Sequence, residues 1–228
     1  MAVILITGAS SGIGFQTAKD LAQQGHVVYG AARRLNKLEA LAPYGVKPLS
    51  LDITNEQSLS QAVATLIASE GRIDVLINNA GYGSYGAVED VSIDEARQQF
   101  EVNLFGMARL TQLVLPYMRA QREGRIINTS SMGGRLVSYM GAWYHATKYA
   151  VEAFSDALRM ETKDFGIKVA IIEPGGIKTN WGFIAAAHLE ASARHSAYQT
   201  QATKAAAGMR RQYSSRMMSD PKIISKAI

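Results

Sequence analysis

The sequence predicts an α/β fold in which a doubly wound parallel sheet and the helices on its two faces form three layers of a single domain. Six runs rich in Val, Ile and Leu alternate with helix-like segments along the whole chain. The runs are continuously apolar, as expected of strands covered on both faces. The 228 residues, 47% of them hydrophobic, suit one large domain with one core. Right-handed crossovers between such strands place helices on both faces.

The predicted strands occupy residues 2–6, 26–31, 46–51, 73–78, 125–129 and 167–173. Two capping boxes, Thr54 with Gln57 and Ser92 with Glu95, predict helix starts. Helices are expected to stop at the glycines that follow them, Gly25, Gly71, Gly124 and Gly166. Ligands of such a sheet bind outside the carboxyl ends of its strands. The motifs described next all fall at those ends or on the helices that follow.

Composition excludes several classes of protein. The net charge of +5 comes from scattered basic residues, which indicates a solvated surface rather than a nucleic-acid interface. The absence of cysteine excludes disulfides and thiolate chemistry. The first residues, MAVILITG, predict a buried strand rather than a signal peptide. No run reaches the roughly 18 apolar residues of a membrane span, so we expect a cytoplasmic protein, and no metal site is predicted.

A glycine turn joins the first strand to the first helix. Its spacing is G-x-x-x-G-x-G, and glycines there let the backbone approach a pyrophosphate at the positive end of the helix. The pattern favours a Rossmann-like dinucleotide site over a plain glycine-rich turn. The residues assigned to the cofactor in this segment are Gly8, Ser10, Ser11, Gly12, Ile13 and Gly14.

The same residues admit a second interpretation. Gly8 to Gly12 match G-x-S-x-G, the nucleophile elbow of serine hydrolases, which would make Ser10 a nucleophile with His145 or His188 as its base. The match lies on the very first strand, and no HGGG-type segment accompanies it. The hydrolase is therefore the less favoured alternative.

The end of the second strand indicates which cofactor is bound. An acidic residue there would favour NAD, whereas an arginine favours the 2′-phosphate of NADP. The chain has Arg33 and Arg34 and no acid before Glu39. A guanidinium can pair with two phosphate oxygens, so NADP(H) is predicted.

The segment Tyr144-His145-Ala146-Thr147-Lys148 carries the strongest catalytic signal. A tyrosine and a lysine four residues apart lie on one face of a helix. The nearby ammonium would lower the pKa of the phenol from about 10 toward neutral pH, which suits proton transfer. His145 itself is interpreted as a packing or surface residue.

Together these motifs resemble the short-chain dehydrogenase/reductase family, in its smaller single-domain branch, over essentially the whole chain. Order and spacing match at Thr7 to Gly14, Asn78 to Gly81, Asn103, Ser131, Tyr144 with Lys148, and Pro174-Gly175. Gly83, Trp143 and the segment 180–218 are similar to bacterial relatives of the hydroxysteroid and retinol dehydrogenases.

The resemblance implies a catalytic set of Asn103, Ser131, Tyr144 and Lys148. Tyr144 would be the general acid or base, Lys148 would lower its pKa and hold the nicotinamide ribose, and Ser131 would polarise the substrate oxygen. Asn103, placed in the long helix after Ser92, would hold a water that relays protons. The implied reaction moves a hydride between NADP(H) and a carbonyl or alcohol of a small substrate.

The resemblance also implies further cofactor contacts. Asp52 and Ile53 would hold the adenine, although Asp52 could instead belong to the cap of the next helix. The remaining implied contacts are Asn79, Ala80, Gly81, Pro174, Gly175, Ile177 and Thr179. A homodimer or homotetramer is expected from the same resemblance. The alternative of another class is a module that senses NADP without turnover, which would require a damaged catalytic set.

The segment of about residues 180–218 is interpreted as an apolar substrate lid. It follows the last strand, is rich in alanine, and carries Trp181, Phe183, Tyr198 and Tyr213. Ser219-Asp220-Pro221 predicts a further helix, which the sequence carries only as far as Ile228. Members of the family usually complete that helix and add a seventh strand, and the sequence leaves open whether the chain is truncated after Ile228.

Overall fold

The computed structural model describes residues 1–228 and confirms the predicted α/β fold. Six parallel strands form one sheet in the order β3-β2-β1-β4-β5-β6. Each strand lies within two residues of its predicted bounds: β1 (Val3–Thr7), β2 (Val27–Ala32), β3 (Lys47–Ser50), β4 (Val75–Asn78), β5 (Gly124–Thr129) and β6 (Ile167–Ile172). The order reverses at β1, which pairs with β2 on one side and β4 on the other. That reversal opens a crevice at the carboxyl ends of these strands.

Nine α-helices connect and follow the strands. They are α1 (Gly12–Gln23), α2 (Leu35–Leu38), α3 (Glu56–Glu70), α4 (Ile93–Phe100), α5 (Gly106–Gln121), α6 (Ala142–Thr162), α7 (Trp181–Ser192), α8 (Gln199–Tyr213) and α9 (Lys222–Ser225). A π-helical turn, Glu101–Phe105, joins α4 to α5, and short 3-10 turns lie at Glu39–Tyr44, Met132–Gly134 and Lys163–Phe165. None of the helices combines the length and apolar composition that a membrane crossing requires.

Three apolar clusters hold these elements together. The largest packs α3, α5 and α6 against one face of the sheet around Leu5, Leu76 and Ile126. A second packs α1 against the other face around Ile6 and Ile77. The sheet is therefore covered on both sides, as its continuous apolar runs predicted. The third cluster lies beneath α7 and α8 and includes Tyr144, Ala185, Leu189 and Ala206.

Two of the predicted helix boundaries are wrong. Asn55 caps α3, with its Oδ1 accepting from the Ser58 N–H at 2.8 Å, because the Thr54 hydroxyl is engaged with Asp52 instead. Helix α5 ends at Arg122, which adopts a left-handed φ of 58°, and Gly124 already belongs to β5. A Cβ on Gly124 would lie 2.6 Å from the Met118 sulfur, so close packing explains this glycine.

Other predicted boundaries are confirmed. The Ser92 hydroxyl accepts from the Glu95 N–H at 3.2 Å, and Gly71 ends α3 with a φ of 71°. Helix α9 begins after Asp220, whose carboxylate accepts from the Lys222 N–H at 2.8 Å. It packs on α1, where the Ser225 hydroxyl donates to Asp20.

Candidate active site

The crevice beyond the strand ends is a cavity of about 650 Å³ that gathers almost all the predicted site residues. Of the predicted set, only Gly14 and Asn103 lie off its wall. The predicted residues on the wall are Gly8, Ser10, Ser11, Gly12, Ile13, Arg33, Arg34, Asp52, Ile53, Asn79, Ala80, Gly81, Ser131, Tyr144, Lys148, Pro174, Gly175, Ile177 and Thr179.

The glycine turn forms one side of the cavity. Gly8 and Gly12 adopt φ values of 70° and 57°, which side-chain-bearing residues rarely adopt. A Cβ on Gly14 would lie 2.5 Å from the Gly8 carbonyl oxygen, so this glycine lets the turn fold onto itself. Ser11, at the N-cap of α1, makes no side-chain capping bond. The turn therefore presents backbone groups at the N-terminus of α1 to the cavity, and no side chain caps them. Such a surface fits a pyrophosphate.

The loop after β4 holds this turn in place. The Thr7 hydroxyl accepts hydrogen bonds from the N–H groups of Asn79 and Ala80, both at 3.0 Å. The Asn79 amide donates back to the Thr7 carbonyl at 3.0 Å. The predicted contacts at the ends of β1 and β4 therefore form one hydrogen-bonded unit on the cavity wall.

The far end of the cavity is basic. Arg33 and Arg34 follow β2, are exposed on the wall, and take part in none of the ion pairs of the structure. Their guanidinium groups are therefore free to meet an anionic ligand. Asp52 lines the cavity too, but its Oδ1 accepts from the N–H and hydroxyl of Thr54 at 3.0 and 2.9 Å. It stabilises the turn that precedes α3, and its predicted contact with the adenine stays a prediction.

Tyr144 and Lys148 project from α6 into the buried end of the cavity. The Lys148 ammonium donates to the Thr129 carbonyl at 2.8 Å, at the end of β5. Burial lowers the pKa of Lys148 to about 8, while Glu152 acts in the opposite direction. Burial raises the pKa of Tyr144, and the nearby Ser131 hydroxyl opposes that rise. The shift in the pKa of the Tyr144 phenol has no contribution from the Lys148 ammonium. The lowering of that pKa by Lys148 therefore stays a prediction.

Two neighbouring serines follow β5, and they point in different directions. Ser131 caps the 3-10 turn Met132–Gly134, its hydroxyl accepting from the Gly133 N–H at 3.0 Å, and it also meets the Tyr144 phenol. The buried Ser130 hydroxyl instead faces the Lys148 carbonyl at 3.5 Å. Of the two serines, Ser131 is the one that affects the pKa of the Tyr144 phenol, and its predicted role toward the substrate stays a prediction.

Asn103 lies in the π-helical turn between α4 and α5, and its side chain is fully engaged. Its amide donates to the Tyr82 carbonyl at 2.9 Å and to the Thr147 hydroxyl at 3.1 Å, and its oxygen accepts from the Tyr82 N–H at 3.0 Å. These bonds fix the loop after β4 against α6. Turns of this kind recur at functional sites. The water-holding role of Asn103 stays a prediction.

The two histidines of the hydrolase alternative have other partners. His145 Nε2 accepts from the Ser138 N–H at 2.8 Å, so Nδ1 carries the proton and donates to the Gly133 carbonyl at 2.9 Å. His188 lies 3.4 Å from the Ser84 hydroxyl and 3.7 Å from Glu95. No hydrogen bond links Ser10 to a histidine, so the geometry of a nucleophile and its base is missing.

An aromatic cluster lies over Tyr144, and sequence reasoning found only part of it. The Trp181 ring centroid is 5.0 Å from that of Tyr144, and Tyr85 and Tyr213 flank the pair at 5.6 Å from Tyr144 and 6.0 Å from Trp181. A Cβ on Gly83 would lie 2.3 Å from the Trp181 ring, so this glycine makes room for it. Tyr85 was missed because no motif or periodicity marks its loop.

Comparison with known proteins agrees with this geometry. The family described as short chain dehydrogenase matches residues 2–187. A 3-ketodihydrosphingosine reductase of Bacteroides thetaiotaomicron is 47% identical over 180 residues, which cover 78% of this chain and 65% of that protein. The chain therefore spans less than two thirds of that relative's length.

Two solved structures share the fold across nearly the whole chain. A serine dehydrogenase complexed with NADP+ is 27% identical with a TM-score of 0.84, covering 99% of this chain and 86% of that one. An NAD+-bound xylitol dehydrogenase is 29% identical with a TM-score of 0.83, covering 99% and 90%. The chain belongs to the short-chain dehydrogenase/reductase family.

Proposed function

We propose that this chain transfers a hydride between NADP(H) and the carbonyl or secondary alcohol carbon of a small apolar substrate. One observation carries the proposal: Ser131, Tyr144 and Lys148 share a single cavity with the glycine turn and two unpaired arginines. A proton-transfer group and a phosphate-binding surface in one cavity are what such a reaction needs.

The cofactor would be held along the predicted residues. The backbone of Gly8 to Gly14 would take the pyrophosphate, Asn79 to Gly81 the adjoining ribose, and Pro174 to Thr179 the nicotinamide side. Solved relatives include both NADP+ and NAD+ complexes, so the fold does not decide between them. The unpaired Arg33 and Arg34 favour NADP, because they lie where the adenine ribose must follow.

The chemistry would divide between the cofactor and the protein. NADPH, when bound, supplies the hydride. The Tyr144 phenol would deliver a proton to the substrate oxygen in reduction and remove it in oxidation. The Ser131 hydroxyl would polarise that oxygen. Lys148 would hold the nicotinamide ribose hydroxyls and add positive potential beside the phenol.

Residues 180–218 would act as a lid that selects apolar substrates. Trp181 at the start of α7 and Tyr213 at the end of α8 both line the cavity, and Trp181 packs on Tyr144. The Bacteroides relative is named a 3-ketodihydrosphingosine reductase, and reduction of a ketone agrees with the proposed reaction. An NADP sensor without turnover is not favoured, because the catalytic set is intact.

We also propose that the chain forms a homodimer or homotetramer. Tyr117 on α5 and Tyr149 and Met160 on α6 are exposed large apolar side chains, and Met160 is 74% exposed. Helices with such side chains suit an interface between copies. Sedimentation velocity would show a species of two or four chains, and a monomer at micromolar concentration would contradict this.

The function is tested by binding followed by turnover. Energy transfer from Trp181 to the nicotinamide should report NADPH binding, since Trp181 lines the cavity. The fall in NADPH absorbance is then followed with alkyl, aryl and cyclic ketones and aldehydes. Turnover of apolar ketones is expected. Binding without turnover on any of them would indicate the sensor instead.

A further inference from the structure

Glu152 is a buried carboxylate on the same helix as the proposed catalytic pair. It follows Lys148 by four residues and Tyr144 by eight, so the three side chains lie along one face of α6. Only 4% of Glu152 is exposed. A carboxylate buried to this extent is rare and requires a compensating charge.

The carboxylate of Glu152 has a cation beside it but accepts no hydrogen bond. Arg135 Nη2 lies 2.8 Å from Oε2, yet Arg135 directs its N–H groups to the Glu173 carboxylate at 3.1 and 3.2 Å. No well-aligned hydrogen bond reaches either Glu152 oxygen, so the ion pair with Arg135 is what compensates the buried charge.

The backbone is shaped around this carboxylate. A Cβ on Gly134 would lie 2.9 Å from both Cγ and Oε1 of Glu152. Gly134 belongs to the 3-10 turn that Ser131 caps. Glu152 is thus enclosed between α6 and the segment that carries the proposed substrate-polarising serine.

Few charged or titratable groups face the Lys148 ammonium. On its own helix Tyr144 lies one turn before it and Glu152 one turn after it, while β5 presents the Thr129 carbonyl and the π-helical turn presents the neutral Asn103 side chain. Glu152 is the group that raises the pKa of Lys148, whereas burial lowers it to about 8. Glu152 therefore opposes the loss of the Lys148 proton.

We infer that Glu152 is a positioning residue that keeps Lys148 protonated, and that Arg135 holds the Glu152 carboxylate in place for this purpose. The inference rests on the role proposed for Lys148. It extends the pair on α6 to a stripe of three residues, Tyr144, Lys148 and Glu152. Glu152 contacts neither substrate nor cofactor in this account and acts only through Lys148.

The sign of the expected pH dependence follows from the lysine. Lys148 is charged below its pKa and loses its charge as the pH rises through that value. Removing the negative charge of Glu152 should lower the Lys148 pKa further, so the charge should be lost at a lower pH. NADPH affinity and turnover should both decline at correspondingly lower pH.

The test is the pH profile of NADPH binding and of kcat/KM between pH 6 and 10. Glu152→Gln keeps the shape of the side chain and removes its charge. In this variant the fall of NADPH affinity and of kcat/KM at alkaline pH, called the alkaline limb, should begin about one pH unit below that of wild type. NADPH affinity at pH 6 should be near normal. The matched control is Glu161→Gln, an exposed glutamate two and a half turns further along α6, which should leave the limb in place. Glu152→Asp should give an intermediate limb.

Lys148→Met separates the failure of this inference from the failure of the proposed function. If Lys148→Met keeps the wild-type limb in NADPH binding, Lys148 is not the titrating group and its proposed role is wrong. If Lys148→Met removes the limb but Glu152→Gln retains it at the wild-type pH, the inference about Glu152 alone is overturned. If circular dichroism shows that Glu152→Gln is unfolded, Glu152→Met, which also removes the charge, decides, and an alkaline limb at the wild-type pH overturns the inference.

Discussion

The two sides of the cavity are built by different means. On the side of β1, backbone conformation does the shaping, with left-handed Gly8 and Gly12 and a turn too tight for a Cβ at Gly14. On the side of α7 and α8, side-chain packing does it, with Trp181 and Tyr213 over Tyr144 and alanines filling the space between the helices. A backbone-built surface suits a ligand part that never changes, and a side-chain-built surface can vary with the substrate.

This difference predicts that substitutions on the two sides of the cavity affect different kinetic constants. Alterations near β1 and β2 should affect the cofactor, whereas alterations in the lid should affect the carbonyl substrate. Tyr144 lies between the two sides and should affect the chemical step alone. Each of the following substitutions tests one part of this comparison.

Tyr144→Phe is expected to have the largest effect. Loss of the phenol should lower kcat by at least about 100-fold, because it removes the proton-transfer group, while the NADPH dissociation constant stays near the wild-type value. Steady-state turnover and fluorescence titration measure the two quantities. Tyr149→Phe, on the exposed face of the same helix, is the control and should retain wild-type turnover. A Tyr144→Phe enzyme with a tenth of the wild-type rate would refute the assignment.

Arg33→Ala should act on one cofactor only. A charge-assisted pair with a phosphate contributes about 1.5–3 kcal/mol, so kcat/KM for NADPH should fall roughly ten- to a hundredfold while that for NADH hardly changes. Both cofactors are measured in both proteins at one low ionic strength. Arg211→Ala, an exposed arginine of α8 away from the cavity, controls for net charge. Equal weakening of both cofactors, or a wild type that uses NADH as well as NADPH, would remove the case for NADP.

Gly83→Ala should affect the substrate rather than the cofactor. The added methyl group would displace the Trp181 ring from Tyr144, and an aromatic contact of this kind contributes about 0.5–1.5 kcal/mol. The KM for an apolar ketone should therefore rise about threefold to tenfold with the NADPH dissociation constant unchanged. A variant that loses NADPH affinity to the same degree would show that the two sides of the cavity are not separable.

Gly208→Ala should have the smallest effect. Gly208 lies in the interior of α8, where nothing comes within 4 Å of an added Cβ. Replacing a helical glycine by alanine should raise the free energy of unfolding by about 0.5–1 kcal/mol, with kinetics unchanged. Urea denaturation measures the stability. Because it is the same substitution as Gly83→Ala, it also controls for the chemical change there, and a lower stability would mean that α8 is packed differently.

The parts that sequence reasoning predicted correctly are those carried by local patterns. Continuous apolar runs predicted the six strands. The spacing of the glycines between Gly8 and Gly14, and of Tyr144 with Lys148, identified residues that meet around one cavity. The parts that it missed depend on contacts between distant segments. The π-helical turn at Asn103, the packing of Tyr85, and the burial of Glu152 against Gly134 are set by tertiary packing, which no single stretch of sequence encodes. Gly124 is a further example. Glycine is needed at this position because the Met118 side chain packs closely against it, not because a helix ends there.

The most direct test of hydride transfer uses NADPH carrying deuterium at both C4 positions of the reduced nicotinamide. The purified protein is incubated with the apolar ketone that it turns over best, and the product alcohol is analysed by mass spectrometry and NMR. The account predicts one deuterium on the carbinol carbon of every product molecule, and at most about a hundredth as much deuterated alcohol from a Tyr144→Phe reaction run for the same time. An alcohol without deuterium at that carbon, or NADPH consumed with no alcohol formed, would contradict it.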